Sequence, residues 1–297
     1  MNHLISIITV NYNGFALTCA MIDSVHIHIT SEYEIVVVDN GSKNDEAVLL
    51  QEKYPDIMAI RSEDNLGFAG GNNLGIKAAK GDYLMLMNND TEVEDDSLHF
   101  LAQRLDSNPE FGAVCPKIRF YAQPLLIQFA GYTPLSRISM RNSLIGFKEM
   151  DRGQYANMSI TPFMHGAAVM VRKSVLDKSG LMPECYFLYY EELDWSERLH
   201  DAGYKIAYEP MATVYHKESA TTGQESPLRT YYITRNRLLF ASRNRKGLTK
   251  FLSLIYQLAI ALPKAVAINA LHSRKDLVKA SLKGASDFVR HNTGKGW

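Results

Sequence analysis

Apolar and polar positions alternate in blocks through the first 120 residues. Residues 4–10 (LISIITV) form a largely apolar run rich in β-branched side chains, which predicts a buried strand. Residues 15–29 read as a helix, and residues 35–38 as a second strand closed by Asp39-Asn40-Gly41-Ser42. A helix over 45–54 stops at Pro55, and a third strand follows over 57–61. Residues 72–80 read as a helix that Gly81-Asp82 breaks, and 83–87 as a fourth strand ending in Asn88-Asn89-Asp90. A helix over 95–106 and a strand over 113–118 complete this half. Such alternation predicts an α/β fold with a mostly parallel sheet covered on both faces, whose ligands bind beyond the carboxyl ends of the strands. The polar clusters at 11–13, 39 and 88–90 fall at those ends.

Residues 120–162 lack a period and read as loops with some strand. A short strand over 167–171, a helix near 174–179 and an amphipathic helix over 191–202 follow. Gly203 is placed to end that last helix. Strands are expected over 205–208 and 213–215, a mobile lid loop over 217–227, and helices from Leu228 onward with a break at Gly247. The stretch 251–270 is the most membrane-like, but Gln257, Pro263, Lys264 and Asn269 argue against a spanning helix and leave a surface-lying one open.

Composition narrows the class. The 297 residues carry 32 basic and 32 acidic side chains, a formal net charge of zero, which disfavours a nucleic-acid binder. Three scattered cysteines, Cys19, Cys115 and Cys185, exclude a disulfide scaffold and a cysteine zinc site. No secretory signal is visible, so a cytoplasmic protein is expected.

Several positions carry candidate chemistry. Asp39 at a strand end can accept from a base N–H or a ribose hydroxyl, or cap its own turn. The glycine-rich stretch 65–75 (NLGFAGGNNLG) either admits an anion to a helix N-terminus or packs tightly; it is neither a dinucleotide fingerprint nor a Walker A loop. Asp90 can ligate a hard divalent cation or serve a turn. Glu191, Glu192 and Asp194 crowd one helix N-terminus, where either the helix dipole or general-base chemistry accounts for them. On that helix Glu191, Asp194 and Trp195 share a face and Glu192 is turned away by about 100°. His165 and His216 are ambiguous as ligands. Trp195, Tyr186, Tyr189 and Tyr190 form an aromatic group that packs in the core or against sugar rings.

In order and spacing, TVNYNG (9–14), VVDNGS (37–42), NLGFAGGNN (65–73), MNND (87–90), HGAA (165–168), FLYYEELD (187–194) and His216 resemble glycosyltransferase family 2 with the GT-A fold, in its bacterial rhamnosyltransferase-like branch. The resemblance runs from about residue 6 to residue 244. It implies an inverting transfer of a hexosyl group, rhamnose being one candidate, from a UDP or dTDP sugar to a hydroxyl of a glycan or lipid-linked glycan acceptor. It implies that Thr9, Asn11 and Asp39 contact the nucleoside and that Asn65, Phe68, Asn72 and Asn89 line the nucleotide-sugar pocket. Asp90 stands at the last position of the family's D-x-D motif and, with His216, would hold Mn2+ or Mg2+. Glu192 stands at the general-base position, where the family has Asp, so Glu191 and Asp194 stay open as substitutes. His165 and Trp195 are candidate acceptor contacts.

The expected division is a GT-A catalytic domain over 1–226 and a helical extension over 227–297, serving packing, an oligomer interface or peripheral contact with the inner face of the cytoplasmic membrane. Arg235 would reach the diphosphate or pack. The alternatives are a non-catalytic sugar-nucleotide-binding scaffold and a sugar nucleotidyltransferase.

Overall fold

The computed structural model describes residues 3–217 and 226–297. Its first half is β1 (Ile5–Asn11), α1 (Phe15–His28), β2 (Tyr33–Asn40), α2 (Glu46–Lys53), β3 (Met58–Ser62), α3 (Gly67–Ala78), β4 (Tyr83–Met87), β5 (Thr91–Glu92), α4 (Ser97–Ser107) and β6 (Phe111–Phe120). There follow β7 (Gln123–Phe129), β8 (Ser159–Ile160), β9 (Ala168–Arg172), α5 (Leu176–Ser179), α6 (Glu191–Asp201) and β10 (Lys205–His216). The C-terminal part is helical: α7 (Pro227–Asn244), α8 (Gly247–Ile255), a π-helical segment (Tyr256–Ala261), α9 (Leu262–Leu271) and α10 (Lys275–Val289).

The main sheet runs β3-β2-β1-β4-β9-β6-β10-β5. β3, β2, β1 and β4 are mutually parallel, and β6 is parallel to β10. β9 lies antiparallel between β4 and β6 and joins the two parallel sets. The apolar runs read from the sequence are the inner strands: Ile7, Ile8, Val36, Val37, Leu84 and Met85 are all fully buried. Burial on both faces is why these strands read as continuous apolar runs without alternation.

Two elements differ from the sequence reading, and a third fills in what it expected. α3 begins at Gly67, five residues before the expected start, so most of the glycine run is helical. Its glycines face the sheet: a Cβ on Gly71 would lie 2.9 Å from Val10 Cγ1, and one on Gly75 2.5 Å from Ile8 Cγ2. Missing side chains let the helix backbone lie directly on β1, an advantage that outweighs glycine's poor helix propensity. The two strands expected over 205–215 are one, β10, interrupted by a register shift between Glu209 and Thr213. The aperiodic stretch 120–162 holds the edge strand β7, paired to β6, and a loop excursion pinned by isolated bridges Leu126–Met150 and Tyr132–Leu144.

Candidate active site

A cavity of about 580 Å3 opens at the carboxyl ends of β1, β2 and β4. Its floor and walls come from Tyr12 after β1, Asn40 at the end of β2, Asn88-Asn89-Asp90 after β4, Glu191 and Glu192 at the start of α6, and His216 at the end of β10. Parallel strands deliver these loops to one edge, so residues scattered over two hundred positions share one concavity.

Asp90 and His216 meet there. β10 brings His216 Nε2 to 3.1 Å from Asp90 Oδ1, and Lys217 N donates to the Asp90 carbonyl. Gln128 Oε1 lies 2.9 Å from His216 Nδ1. An amide oxygen only accepts, so Nδ1 carries a proton, and Nε2 is the ring nitrogen that faces the carboxylate. Asp90 Oδ1 is buried and has no hydrogen-bond partner. Two acceptors at this separation match adjacent ligands of an octahedral cation, which sit roughly 3.0 Å apart for bonds of about 2.1 Å. The donor set, carboxylate plus imidazole, therefore fits a divalent cation such as Mn2+ or Mg2+. Among the described residues no cluster of three His, Cys, Asp or Glu stands ready to hold a metal by itself.

The acids of α6 divide by environment. Asp194 is buried away from the cavity and accepts from Arg198 at 3.0 Å, Arg243 at 2.9 Å, Tyr186 at 2.7 Å and Asn244 at 3.0 Å. These partners overcome burial and hold its carboxyl below the usual carboxylate range. Its role in this geometry is to tie α6 to α7. Glu192 lines the cavity, and burial pushes its carboxyl up to about 7. Glu191 also borders the cavity; burial, with the neighbouring Glu192 charge, pushes it well up, and its Oε2 is buried without a partner.

The turn that presents these two acids is strained. Phe187, Tyr189 and Tyr190 all adopt positive φ, at 67°, 66° and 80°. Bulky residues in that region each cost on the order of 1–3 kcal/mol and persist only when their surroundings hold them. Asn236 on α7 does the holding. Its fully buried side-chain amide donates to the carbonyls of Tyr186 at 3.0 Å, Leu188 at 2.7 Å and Tyr189 at 2.9 Å. Arg235 donates to the Tyr186 carbonyl at 2.7 Å and to the Gly294 carbonyl at 2.7 Å. Of the two roles considered for Arg235, the buried side chain takes packing and does not border the cavity. From the opposite side, Phe68 N donates to the Phe187 carbonyl at 2.8 Å. Gly67, at φ +74°, permits that approach, since a Cβ there would sit 2.3 Å from the same oxygen.

The remaining candidates fall into two layers. Asn65, Phe68, Asn89 and His165 border the cavity. Thr9, Asn11, Asp39 and Asn72 are buried beneath it. Asp39 accepts from Arg61 at 2.6 Å, from the backbone of Ser42 and Glu46, and from Asn11. Asn11 also donates to Glu46 at 2.7 Å, and Asn72 donates to the Phe68 carbonyl. Thr9 Oγ1 is buried without a partner. Ala167 N donates to His165 Nδ1, leaving Nε2–H as the ring's donor. Burial and the nearby His216 push His165 down to about 3, so the ring is neutral. Trp195 is fully buried and donates to the Gly180 carbonyl at 2.9 Å; it does not border the cavity. The N–H groups of Leu66, Gly67 and Phe68 at the start of α3 are taken by protein acceptors, Asn40, Asn65 and Phe187.

Sequence reasoning missed Gln128, Tyr132, Phe147 and Lys148, which the aperiodic excursion brings to the cavity, and Arg229 at the start of α7. Only Arg229 carried a signal, lying just inside a helix that opens with Ser226-Pro227. The lid assigned to 217–227 lies for the most part, residues 218–225, outside the described residues.

A mostly parallel sheet of this order, with a polar cavity at its carboxyl ends, is the GT-A fold. Residues 6–180 match the sequence model of glycosyl transferase family 2, and the chain belongs to that family. Its relatives include the low-salt glycan biosynthesis hexosyltransferase Agl10 of Haloferax volcanii, 25% identical over 98% of this chain and 92% of that protein. The N-acetylglucosaminyl-diphospho-decaprenol L-rhamnosyltransferase of Mycobacterium tuberculosis is 23% identical over 76% of this chain and 80% of its own length. Among solved structures, the Pyrobaculum calidifontis mannosyltransferase in complex with GDP-Man and Mn2+ superposes with a TM-score of 0.60 at 15% identity, over 97% of this chain and 88% of that one.

Proposed function

We propose that this glycosyltransferase is inverting and metal-dependent, moving a hexosyl group from a nucleoside diphosphate sugar to a hydroxyl of a glycan or lipid-linked glycan. The observation that carries the reading is that a carboxylate–imidazole pair, Asp90 and His216, and a carboxyl oxygen of Glu191 border one cavity, with Asp90 Oδ1 and Glu191 Oε2 buried and making no hydrogen bond to protein. Native proteins rarely leave such atoms unpaired, and a polar ligand is the physical reason to do so. Asp90 and His216 would hold the divalent cation, which when bound offsets the charge of the departing diphosphate. Asn65, Phe68 and Asn89 border the donor, with Thr9, Asn11 and Asp39 shaping the loops beneath its nucleoside. Glu192 takes the proton from the acceptor hydroxyl as that oxygen attacks the anomeric carbon from the face opposite the diphosphate. A base near 7 suits this transfer at neutral pH. Glu191, whose carboxyl is pushed well up by burial and by the neighbouring Glu192 charge, keeps the local charge low.

The mycobacterial relative's name supports a lipid-diphosphate-linked sugar as acceptor and a deoxyhexose as one donor group. The archaeal relative's name supports the broader hexosyl class. The test is a panel of UDP, dTDP and GDP sugars, with Mn2+ and with EDTA, read by release of nucleoside diphosphate. Mn2+-dependent release that Glu192→Gln abolishes while nucleotide binding persists supports the mechanism. Release of pyrophosphate from a nucleoside triphosphate and a sugar phosphate would replace it with nucleotidyl transfer.

A further inference from the structure

The C-terminal helices expose the wrong side. Gly247–Leu271 is one helical stretch of 25 residues, long and apolar enough to cross a membrane by length and composition, with 11% of its most apolar stretch buried. Two of its polar residues face inward. Ser253 and Gln257, one turn apart, are buried and donate to the carbonyls of Ile138 and Ser139. Much of its apolar surface faces outward: Leu248 is 70% exposed, Phe251 61%, Ile260 55% and Leu271 83%, with Leu252 and Ile255 beside them, while Leu254 packs inward. Leu248, Phe251, Leu252 and Ile255 follow helical i, i+3, i+4, i+7 spacing and form one ridge. A helix packed on a protein in water does the reverse.

Charge identifies what covers the ridge. Residues 246–297 hold nine Lys or Arg against two Asp, although the whole chain is neutral. Lys246 and Lys264 are exposed along the apolar stretch, and Lys275 and Lys279 on the next helix. A second copy of this surface would bring like charges together, whereas an anionic lipid surface attracts basic residues and accepts apolar side chains just below its headgroups. We infer that the 247–271 helix and the basic start of α10 dock on an anionic membrane, with the apolar ridge in the interface plane. Inward-facing Ser253 and Gln257 fix the helix to the protein, so it lies on the bilayer and does not cross it. The excursion they grip also supplies Tyr132, Leu144 and Lys148 to the catalytic cavity, so docking brings that wall toward the membrane surface.

The experiment is flotation of the full chain with phosphatidylcholine vesicles, with and without about one-third phosphatidylserine. It compares the wild type, Leu248→Ser/Phe251→Ser/Ile255→Ser, and Lys275→Glu/Lys279→Glu. These side chains are exposed and outside the catalytic cavity, so unchanged nucleotide binding verifies the fold. The wild type is expected to float with anionic vesicles at low salt and to be extracted by alkaline carbonate. Each variant should lose about tenfold or more in partitioning. Four results would overturn the inference: no flotation of the wild type, equal flotation of the variants, resistance to carbonate, or a solution dimer that the triple serine variant dissolves.

Discussion

Asn236→Ala tests whether the strained turn sets the base. The substitution removes a buried amide that donates to three main-chain carbonyls and accepts from Arg235 Nε at 2.9 Å. The Tyr186 carbonyl keeps Arg235, so the carbonyls of Leu188 and Tyr189 lose this donor. Leaving a buried polar group unpaired costs about 1–3 kcal/mol, so the fold should lose roughly 2–4 kcal/mol. That corresponds to a fall in melting temperature on the order of 3–6 °C for a chain of 297 residues. Part of the strain at Phe187, Tyr189 and Tyr190 is then released, and the start of α6 shifts. A displacement near 1 Å at a reacting group costs about a hundredfold in rate. The expected kinetic signature is a kcat lowered about a hundredfold, with nucleotide affinity kept within a few fold, because Asn65, Asn89 and Asp90 sit on other elements. Asn236→Asp should be worse, since it turns a carboxylate toward carbonyl oxygens. Calorimetry measures the first quantity, and single-turnover transfer with nucleotide titration the second. A variant that loses stability as stated but retains full kcat would refute the positioning role.

Glu192→Gln should abolish transfer yet raise the melting temperature at pH 8. Its folded-state pKa lies above the unfolded value, so the folded form retains a proton the unfolded form has lost; stability therefore falls as pH rises toward about 7, and the amide escapes that loss. With wild type, kcat should climb with pH through about 7 as the base form appears; a flat profile there would remove Glu192 as base. Asp90→Ala and His216→Ala should each eliminate the Mn2+-dependent increase in nucleotide affinity while leaving binding in EDTA unchanged, as measured by calorimetric titration. Gly67→Ala should destabilise by several kcal/mol, because its Cβ would meet the Phe187 carbonyl and the residue sits at φ +74°; denaturant melts give the value.

The parallel half of the fold was legible because strands buried on both faces leave apolar runs with polar loops at their ends, as in residues 4–13 and 83–90. Reading failed where tertiary packing overrode local preference. α3 starts inside a glycine run that propensity discourages but contact with Ile8 and Val10 rewards. The excursion to the cavity is held by single bridges and turns, which have no periodicity to find. Site chemistry was legible as residue types in order; the environments were not. Asp194 and Glu192, two residues apart, are set apart by Arg243 and Arg198, which lie elsewhere in the chain or one turn on. Asn236 offered no signal, because its role lies in three carbonyls of a distant turn.

Cys185 stands at the doorstep of that turn, one residue before Tyr186 and only half-buried, whereas Cys19 and Cys115 lie in the core. Burial raises the Cys185 thiol and pushes Cys115 up to about 12. Cys115 and Cys185 are thus clocks set to different openings of the native state. Exchange at Cys115 reports complete unfolding, while exchange at Cys185 reports local release of the segment that carries the two glutamates. An occupied acceptor site that clamps the turn would slow the second clock and leave the first running on global stability alone.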